Sequence, residues 1–507
     1  MNFAGPPRWF DGRVDLMLAG ARLLGRDAPV DVLVRDGMVH AVLPVGAEPH
    51  VGPDGAHRAE RVDVAGRWLM PGLWDQHVHL TQWASFRQRL DLAEARSAAE
   101  AVAMVVARLE EAPPPPGRPL LGRRFRAALW PDEPTAALLD AAVGDVPVVL
   151  ASVDLHSGWL SSAGLEWFGA SGHPTGLLRE DEWLGRLGRM DVAPDDVLDG
   201  WVREAAAAAA ARGVVGVVDV EFGDNVATWR RRVADGFDQL RVRAGVWEDR
   251  LDGVVGQGLR TGDLIAGTVT QGPLKVISDG ALNTRTAWCH DPYPDGTHGV
   301  LNVPPERLVP LMARAHAAGL ACAIHAIGDA ANTLVLDAFA ATGARGSVEH
   351  AQLLARADVR RFAELGVVAS VQPEHVVDDR DVTDRLWADR ANRAYLFRSL
   401  HDAGARLALG SDAPVAALDP WAAVAAAVTR TRGGRPSWHP EEALPPRVAL
   451  EASTDGRGLT PQVGAPADLV LLDDDPVALL ATGQGDRVRD IGVAGTLLAG
   501  RWTHRAV

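Results

Sequence analysis

The sequence predicts an α/β protein whose centre is an eight-stranded (β/α)8 barrel of the TIM type. Eight short apolar segments recur between residues 69 and 414, and polar residues and then helical patterns follow them. Apolar strands that alternate with helices are typical of parallel sheets covered on both faces. A second set of short strand patterns lies at the two ends of the chain. It predicts a small β-sandwich domain built from both termini.

The predicted sandwich takes its N-terminal part from residues 1–68 and its C-terminal part from residues 431–507. In the first part, DLMLAGARLL and VDVLVRDGMVHAVLPVG alternate or run apolar, and Gly or Asp-Gly turns interrupt them. ADLVLLDDD and DIGVAGTLLAGRWT repeat this pattern near the C-terminus. We therefore expect strands from opposite ends of the chain to belong to one domain.

The barrel is predicted to span residues 69–430. Helical segments separate its later strands, and Gly319, Gly343 and Gly366 stand where glycine caps end helices. The eight predicted strands are LMPGLWDQHVH (69–79), VVGVVDVEF (214–222), RVRAGVW (241–247), PLKVISDG (273–280), ACAIHAIGD (321–329), GSVEH (346–350), VVASVQPEH (367–375) and RLALGSDAP (406–414).

Residues 80–213 are too many for a simple connection between the first two barrel strands. They contain helical patterns, a proline run from Pro113 to Pro116 and at least one further strand pattern, PVVLASVDLHS. Loops at the carboxyl ends of barrel strands often carry function. This insertion is therefore a candidate lid or specificity element.

Composition excludes several classes of protein. The 507 residues are 47% apolar and 23% charged, which is typical of a globular chain. The 51 basic and 66 acidic residues give a net charge of −15, so we expect no nucleic-acid partner. Two cysteines, Cys289 and Cys322, exclude a disulfide framework and a thiolate metal site. No apolar run reaches membrane-spanning length and no signal-peptide pattern opens the chain, so we expect a cytoplasmic protein without a membrane partner. A homodimer is the default expectation for its assembly, because it is the commonest oligomeric state.

Polar side chains cluster where the predicted barrel strands end. Because the carboxyl ends of parallel strands meet on one face of a barrel, these side chains should lie close together. The first two are histidines two residues apart, which point to the same side of a strand and can bind one metal. Neutral imidazole is a common zinc ligand. The polar residues predicted to cluster at the strand ends are His77, His79, Lys275, His325, His350 and Asp412.

Lys275 is the only lysine among the 51 basic residues, and the other 50 are arginines. Together with the abundance of alanine and glycine, this bias indicates GC-rich coding. A lysine kept under such a bias suggests a position that needs an amine, because a guanidinium can neither act as an amine nucleophile nor form a carbamate. The alternative is that the one lysine lies at position 275 by chance. The occurrence of a single lysine does not distinguish chance from a chemical requirement for an amine.

The segment PGLWDQHVHL resembles the first-strand motif of the metal-dependent amidohydrolase superfamily. The other motifs are similar to those of its third family, which contains N-substituted formamide deformylase and related amide hydrolases. They occur in the expected order between residues 70 and 476, so the resemblance covers nearly the whole chain. These motifs are DLHSGWLSSAGL (154–165), KVISDGALNTRTAW (275–288), IHAIGDAA (324–331), VEHAQ (348–352), VQPEH (371–375), GSDAPV (410–415) and GAPADLVLLDDDP (464–476).

The resemblance implies a site for two divalent metal ions. Zinc is the metal expected for a histidine-rich set, and iron, manganese and cobalt are alternatives. A carboxylated lysine would supply the anionic oxygens of a bridge, since a free ammonium has no lone pair for a metal. The implied ligands are His77, His79 and Asp412 for the more buried ion, His325 and His350 for the other, and Lys275, N-carboxylated by CO₂, as the bridge.

The implied activity is hydrolysis of a C–N amide bond other than a peptide bond, in a small-molecule substrate of the N-formyl or N-acyl amine class. A metal-activated hydroxide would attack the carbonyl carbon. Asp412 would act first as general base and then as general acid towards the leaving amine. His156, Arg285 and His375 are candidates for binding the substrate.

The chain departs from the family pattern at two places expected near the substrate. Asn283-Thr284 stands where Gly-Ser is expected, and Ser161-Ser162 stands where Asn-Ser is expected, so the acyl group and the amine are not carried over. Two other functions stay open. An aminohydrolase of heterocycles would carry a glutamate where this chain has Gly328. A non-catalytic scaffold with this fold should lack metal ligands, and none of the six is missing.

Overall fold

A computed structural model describes most of the chain. Contacts within the chain divide it into two compact units, which are described separately: residues 1–80 with 206–507, and residues 81–205. The residues that the structure describes are 15–47, 59–115, 117–127, 130–152, 157–179, 181–184, 186, 190, 193–482 and 485–507.

The strands are numbered in chain order. They are β1 (Leu16–Leu23), β2 (Val30–Arg35), β3 (Met38–Pro44), β4 (Glu60–Asp63), β5 (Trp68–Pro71), β6 (Leu73–Val78), β7 (Leu90–Asp91), β8 (Leu120–Phe125), β9 (Val148–Ser152), β10 (Ser157–Leu160), β11 (Leu177–Arg179), β12 (Val214–Asp219), β13 (Arg241–Trp247), β14 (Leu264–Ala266), β15 (Val269–Ile277), β16 (Cys322–Ala326), β17 (Gly346–His350), β18 (Val368–Val371), β19 (Leu407–Leu409), β20 (Leu469–Leu472), β21 (Val493–Leu498) and β22 (Arg501–Arg505).

The α-helices are numbered in the same way. They are α1 (Leu80–Arg87), α2 (Ala98–Glu111), α3 (Ala136–Val143), α4 (Ser162–Phe168), α5 (Asp181–Leu184), α6 (Asp195–Ala210), α7 (Asn225–Ala234), α8 (Glu248–Gly256), α9 (Pro305–Ala317), α10 (Asp329–Thr342), α11 (Val359–Leu365), α12 (Pro373–Leu386), α13 (Phe397–Asp402), α14 (Pro420–Thr429), α15 (Pro446–Ala452) and α16 (Pro476–Ala481). No helix within the described ranges is long and apolar enough to cross a bilayer.

The predicted TIM-like barrel is present in the first unit, which confirms the fold class. Its eight parallel strands follow the order β6-β12-β13-β15-β16-β17-β18-β19, and β14 adds an antiparallel partner to β15. β12 is buried at all of its positions, as expected for a strand covered on both faces. Backbone hydrogen bonds from Asp412 N to His77 O (2.8 Å) and from His79 N to Ala413 O (2.9 Å) join the segment after β19 to β6.

The helices predicted between the later strands are also present as α9, α10 and α11. Gly343 and Gly366 end α10 and α11 in left-handed conformations, with φ of 63° and 66°. Gly319 follows the last residues of α9 with φ of 81°. Glycine adopts this conformation without the steric cost that a Cβ atom brings, which explains its use at these three ends.

The first predicted barrel strand is two strands in the structure. The apolar run 69–79 is divided at Gly72, so β5 pairs with β1 and β20, and β6 alone enters the barrel. A Cβ atom at Gly72 would lie 2.3 Å from the side chain of Val215, so only glycine allows this close approach. Both strands are apolar, and the sequence pattern therefore gives no boundary between them.

Strands from both ends of the chain form the second sheet of this unit, as the terminal strand patterns predict. Its order is β22-β21-β20-β5-β1-β2-β3, and β4 pairs with β1. β1 pairs with β4 through its first half and with β5 through Arg22 and Leu23. Leu18 and Leu23 of β1 share one apolar core with Leu469 and Leu497 from the C-terminal strands.

The unit of residues 81–205 has a five-stranded sheet of its own, in the order β11-β10-β9-β8-β7. The sequence pattern predicts at least one strand here. Most of these strands are too short to show periodicity, since β7 and β11 have two and three residues. Trp159 and Trp183 are fully buried, so they belong to the core of this unit. The role of the insertion as a lid stays a prediction.

Candidate metal centre

The six predicted ligand side chains lie at the carboxyl ends of barrel strands. Parallel strands of one barrel end on the same face, which brings residues far apart in sequence together. Contacts between neighbouring side chains link all six. They are His77 at the end of β6, His79 just beyond it, Lys275 in β15, His325 in β16, His350 at the end of β17 and Asp412 shortly after β19.

Asp412 lies between two groups of potential metal donors. Its Oδ1 is 3.4 Å from Nε2 of His77 and 3.8 Å from Nε2 of His79. Its Oδ2 is 3.9 Å from Nε2 of His375. One ligand atom from each of His77, His79 and Asp412 lies within 4.8 Å of the others, and the same holds for His350, His375 and Asp412. The two oxygens of one carboxylate therefore face two donor groups.

The backbone around Asp412 fixes this position. The residue has φ of 56°, and its N–H donates to the carbonyl oxygen of His77 at 2.8 Å. A Cβ atom at Gly410 would lie 2.8 Å from the backbone nitrogen of His77, so glycine allows the chain to pass close to β6. Burial raises the pKa of the Asp412 carboxyl, and the nearby His375 and Lys275 oppose this rise.

Lys275 is buried in the middle of the cluster, with 2% of its surface exposed. Its Nζ lies 3.1 Å from Nε2 of His77. Burial lowers the pKa of the amine, while the carboxylates of Glu349 and Asp412 act in the opposite direction. The neutral amine, which is the form that reacts with CO₂, is thus favoured relative to an exposed lysine.

His77, His79 and His350 are shifted towards the neutral form that binds a metal. Burial, together with neighbouring positive groups, lowers the pKa of His77 and His350 well below the usual value and that of His79 to about 3. Nδ1 of His79, Nδ1 of His350 and Nε2 of His375 are buried without a hydrogen-bond partner in the described part of the chain. Neutral imidazoles with free lone pairs and a carboxylate are a donor set that fits zinc and similar divalent ions.

His325 is oriented differently from the other predicted ligands. Its Nε2 lies 3.2 Å from the carbonyl oxygen of Gly280 and 3.3 Å from Oδ1 of Asp279. Its ring centroid is 4.6 Å from that of His350, so it borders the cluster. In the described residues, His325 belongs to neither donor group, whereas His375, expected to bind substrate, belongs to one.

The side chain of Glu349, the residue before His350 at the end of β17, faces the cluster, whereas strict alternation with His350 would turn it away from the barrel centre. In the structure its Oε2 lies 2.6 Å from Nδ1 of His77, and its other oxygen accepts a hydrogen bond from Ser347. The physical reason is the φ of 74° at His350, because a residue in this conformation ends the strict alternation of a strand.

Two further buried carboxylates hold the strand ends in place. Oδ1 of Asp75 accepts the backbone N–H groups of His77 (3.1 Å) and Ser411 (2.9 Å), and burial raises its pKa to about 6. Asp279 accepts the backbone N–H groups of Trp288, Ile327 and Gly328, which ties β15 to the segment after β16.

The other two predicted substrate residues lie outside the cluster or outside the described residues. Arg285 is about half exposed, with 53% of its side chain accessible, and it pairs with Asp295 at 2.8 Å. His156 falls in 153–156, which the structure does not describe. Their roles stay predictions.

Comparison with known proteins agrees with the fold. The model of the amidohydrolase family matches residues 60–504. The chain is 28% identical to N-substituted formamide deformylase of Arthrobacter pascens, over 96% of this chain and 97% of that protein. It is 30% identical to Protein LONG AFTER FAR-RED 3 of Arabidopsis thaliana, over 78% of this chain and 74% of that protein.

Among solved structures, the fold resembles that of an uncharacterized metal-dependent hydrolase from Pyrococcus furiosus. The TM-score is 0.77 at 24% identity, and the match covers 91% of this chain and 100% of that structure. At this identity the likeness concerns the fold. The family match, by contrast, runs from the start of β4 into β22 and so includes every strand of the barrel.

Proposed function

The chain belongs to the amidohydrolase family, and we propose that this hydrolase uses two divalent metal ions to cleave the C–N bond of N-formyl or N-acyl amines. The observation that carries the proposal is the position of Asp412, whose two carboxylate oxygens face two separate groups of histidines. A buried lysine amine lies beside His77 in the same cluster. Such an arrangement suits a two-metal centre with a carbamate bridge better than a site for one ion.

We assign the ligands as follows. His77, His79 and Asp412 would hold one ion, and His350 would hold the other. His375 shares a donor group with His350 in the described residues, whereas Nε2 of His325 lies 3.2 Å from the carbonyl oxygen of Gly280. Bound zinc would supply Lewis-acid activation of water and of the substrate carbonyl.

Lys275 would carry a carbamate in this centre. The neutral Nζ attacks the carbon of CO₂, a new N–C bond forms, and the proton released from nitrogen passes to solvent. The product is an anion with two oxygens, which suits a position between two cations. Burial favours the neutral amine that this step requires.

Asp412 would move the proton during hydrolysis. Its carboxylate accepts a proton from the attacking water and then delivers it to the nitrogen of the leaving amine. Water supplies OH to the acyl carbon and H to the amine, so the products are a carboxylic acid and a free amine. Burial and the left-handed backbone at Asp412 hold the carboxylate at the strand end where both transfers would occur.

The aminohydrolase alternative meets a steric obstacle. A Cβ atom at Gly328 would lie 1.9 Å from the carbonyl oxygen of Trp288, so no side chain fits at the position where such an enzyme carries its glutamate. The scaffold alternative predicts a loss of donors, and the described cluster keeps its carboxylate and its buried histidines.

The test of the proposed activity is a substrate panel with and without metal. The zinc-loaded protein should release free amine from N-formyl and N-acetyl amines, and chelator treatment should reduce this rate by at least about 100-fold. Added zinc and bicarbonate should restore it. A panel of aminated heterocycles serves as the comparison set. Ammonia release from these, without hydrolysis of any amide, would contradict the proposal.

The pair of Glu349 with His77 gives a more specific prediction. Glu349→Gln should weaken zinc binding by about 10- to 100-fold, because a carboxylate bonded to a ligating imidazole fixes the ring and raises its basicity. Competition with a coloured chelator measures this affinity. Ser347→Ala, which removes the hydrogen bond to the other oxygen of Glu349, is the matched control and should change the affinity much less. Equal affinities for wild type and Glu349→Gln would refute this role.

A further inference from the structure

A large apolar side chain lies exposed beside the candidate metal centre. Phe222 follows β12 on the loop that leads into α7, and 54% of its surface is accessible. Its ring centroid is 5.1 Å from that of His79, a member of the first donor group. Aromatic side chains beside a few polar groups are typical of the lining of small-molecule sites.

Phe222 is the middle member of a row of three rings, formed by His79, Phe222 and Trp247. Phe222 and Trp247 have centroids 4.6 Å apart, and both ring pairs have interplanar angles of 22°. Centroid separations of this size describe offset stacking, which leaves part of each ring uncovered. The row therefore extends from a candidate metal ligand to the surface of the barrel.

Hydrogen bonds fix the position of this row. Nε1 of Trp247 donates to the carbonyl oxygen of Glu221 at 2.8 Å, which holds the end of β13 against the loop of Phe222. The backbone N–H of Phe222 bonds to Oε1 of Glu221 at 3.0 Å. A ring held in this way loses little conformational freedom when a ligand packs against it, which favours binding.

Other exposed apolar residues lie on loops that follow barrel strands. Val300, in the long segment after β15, is 49% exposed, and Val415, just beyond Asp412, is 68% exposed. Both follow strands that supply residues of the cluster. These two side chains add exposed apolar surface to the loops that follow barrel strands.

We propose that Phe222 determines specificity, and that the row of His79, Phe222 and Trp247 binds a planar aromatic group of the substrate next to the amide that is cleaved. This inference rests on the proposed function for the position of the amide. Aromatic rings gain from offset or edge-to-face contacts beyond the area that they bury, so the row should favour an aromatic ring over a saturated ring of similar size.

Matched pairs of amides test this preference. On the amine side the pair is N-(2-phenylethyl)formamide and N-(2-cyclohexylethyl)formamide, and on the acyl side it is N-methyl-phenylacetamide and N-methyl-cyclohexylacetamide. In at least one pair, kcat/KM of the zinc-loaded wild type should favour the aromatic member by about 5-fold or more. Phe222→Ala should reduce that ratio to about 1, mainly through a loss of about 10-fold for the aromatic member. Phe222→Leu should also reduce the ratio to about 1, because leucine keeps the apolar bulk but has no ring.

Leu264→Ala is the control, since Leu264 is an exposed apolar residue on β14, before the strand that carries Lys275. It should leave both ratios unchanged. A wild type without an aromatic preference in either pair, or a preference that survives in Phe222→Ala, would overturn the assignment of Phe222.

Failure of the proposed function would give a separate result. If the wild type hydrolyses none of these amides, calorimetry with 2-phenylethylamine, phenylacetate and their cyclohexyl counterparts decides the role of Phe222 on its own. The aromatic site is supported if the wild type binds an aromatic member more tightly than its cyclohexyl counterpart and Phe222→Ala abolishes this difference. Equal binding of both members refutes it.

Discussion

Lys275→Ala is expected to lower the metal content from about two ions per chain to one or fewer, and to reduce amide hydrolysis by at least about 1,000-fold. The change removes the only amine side chain of the sequence from a position with 2% exposure, 3.1 Å from His77. Without an amine no carbamate forms, and the centre loses the anion that would hold two cations near each other. Mass spectrometry of the metals in purified protein measures the first effect, and amine release measures the second.

A rescue experiment distinguishes a lost bridge from a lost fold. The Ala variant leaves space for a small anion, so acetate or propionate should restore part of the metal content and of the activity. Lys275→Met is the matched control, because its side chain keeps the volume and supplies no anion. It should unfold at a temperature close to that of wild type and should not respond to acetate. One ion per chain in both wild type and Lys275→Ala would exclude the bridge.

Asp412→Asn is expected to reduce kcat by about 1,000-fold, while KM changes by less than about 10-fold. The amide oxygen can still face a cation, but the side chain can no longer take a proton from water and pass it to the amine. A general base contributes to the transition state more than to substrate binding, which explains the expected split between kcat and KM. Steady-state kinetics with a formamide substrate measures both constants.

The pH profile gives a second readout for Asp412. The proposed mechanism requires the ionised carboxylate, so kcat/KM of the wild type should fall with unit slope as pH decreases through the pKa of this group. Burial raises that pKa, but bound cations favour the ionised carboxylate, so in the metal-loaded protein the fall should begin at a lower pH than burial alone would give. The residual activity of Asp412→Asn should lack this acidic limb.

A matched control for Asp412→Asn lies nearby in the sequence. Asp419 accepts the backbone N–H of Trp421 at the start of α14 and lies outside the donor groups. Asparagine is an equally good cap, so Asp419→Asn should keep the wild-type kcat and pH profile. Asp412→Asn with wild-type kcat, at full metal content, would remove Asp412 from the proton path.

The barrel strands could be predicted from sequence because their burial is two-sided. A parallel strand covered on both faces needs apolar residues at nearly every position, as in Val214–Asp219, and such runs stand out between polar helices. The boundary at Gly72 could not be predicted in this way. β5 and β6 are both apolar, and the change of sheet at Gly72, where the backbone passes close to Val215, is visible only in the structure.

Residue type and position at strand ends predict which side chains are candidate ligands. They do not predict how these ligands divide into two donor groups around Asp412. Imidazole donors at the ends of β6, β16 and β17 are readable from the sequence because parallel strands end on one face. Ring orientation is set by contacts between strands that local periodicity does not contain. His325 bonds to Gly280, and His375 faces Asp412 from the start of α12.

The sequence by itself determined the fold class, the eight strands and the side chains that end on one face of the barrel, since these depend on local patterns of burial. The tertiary structure alone decided which donors meet at Asp412, that Glu349 turns towards His77, and that Phe222 lies exposed against His79. The physical reason is that these contacts depend on the backbone angles at His350 and Asp412 and on the closure of the barrel. Both are set by packing between segments far apart in the chain.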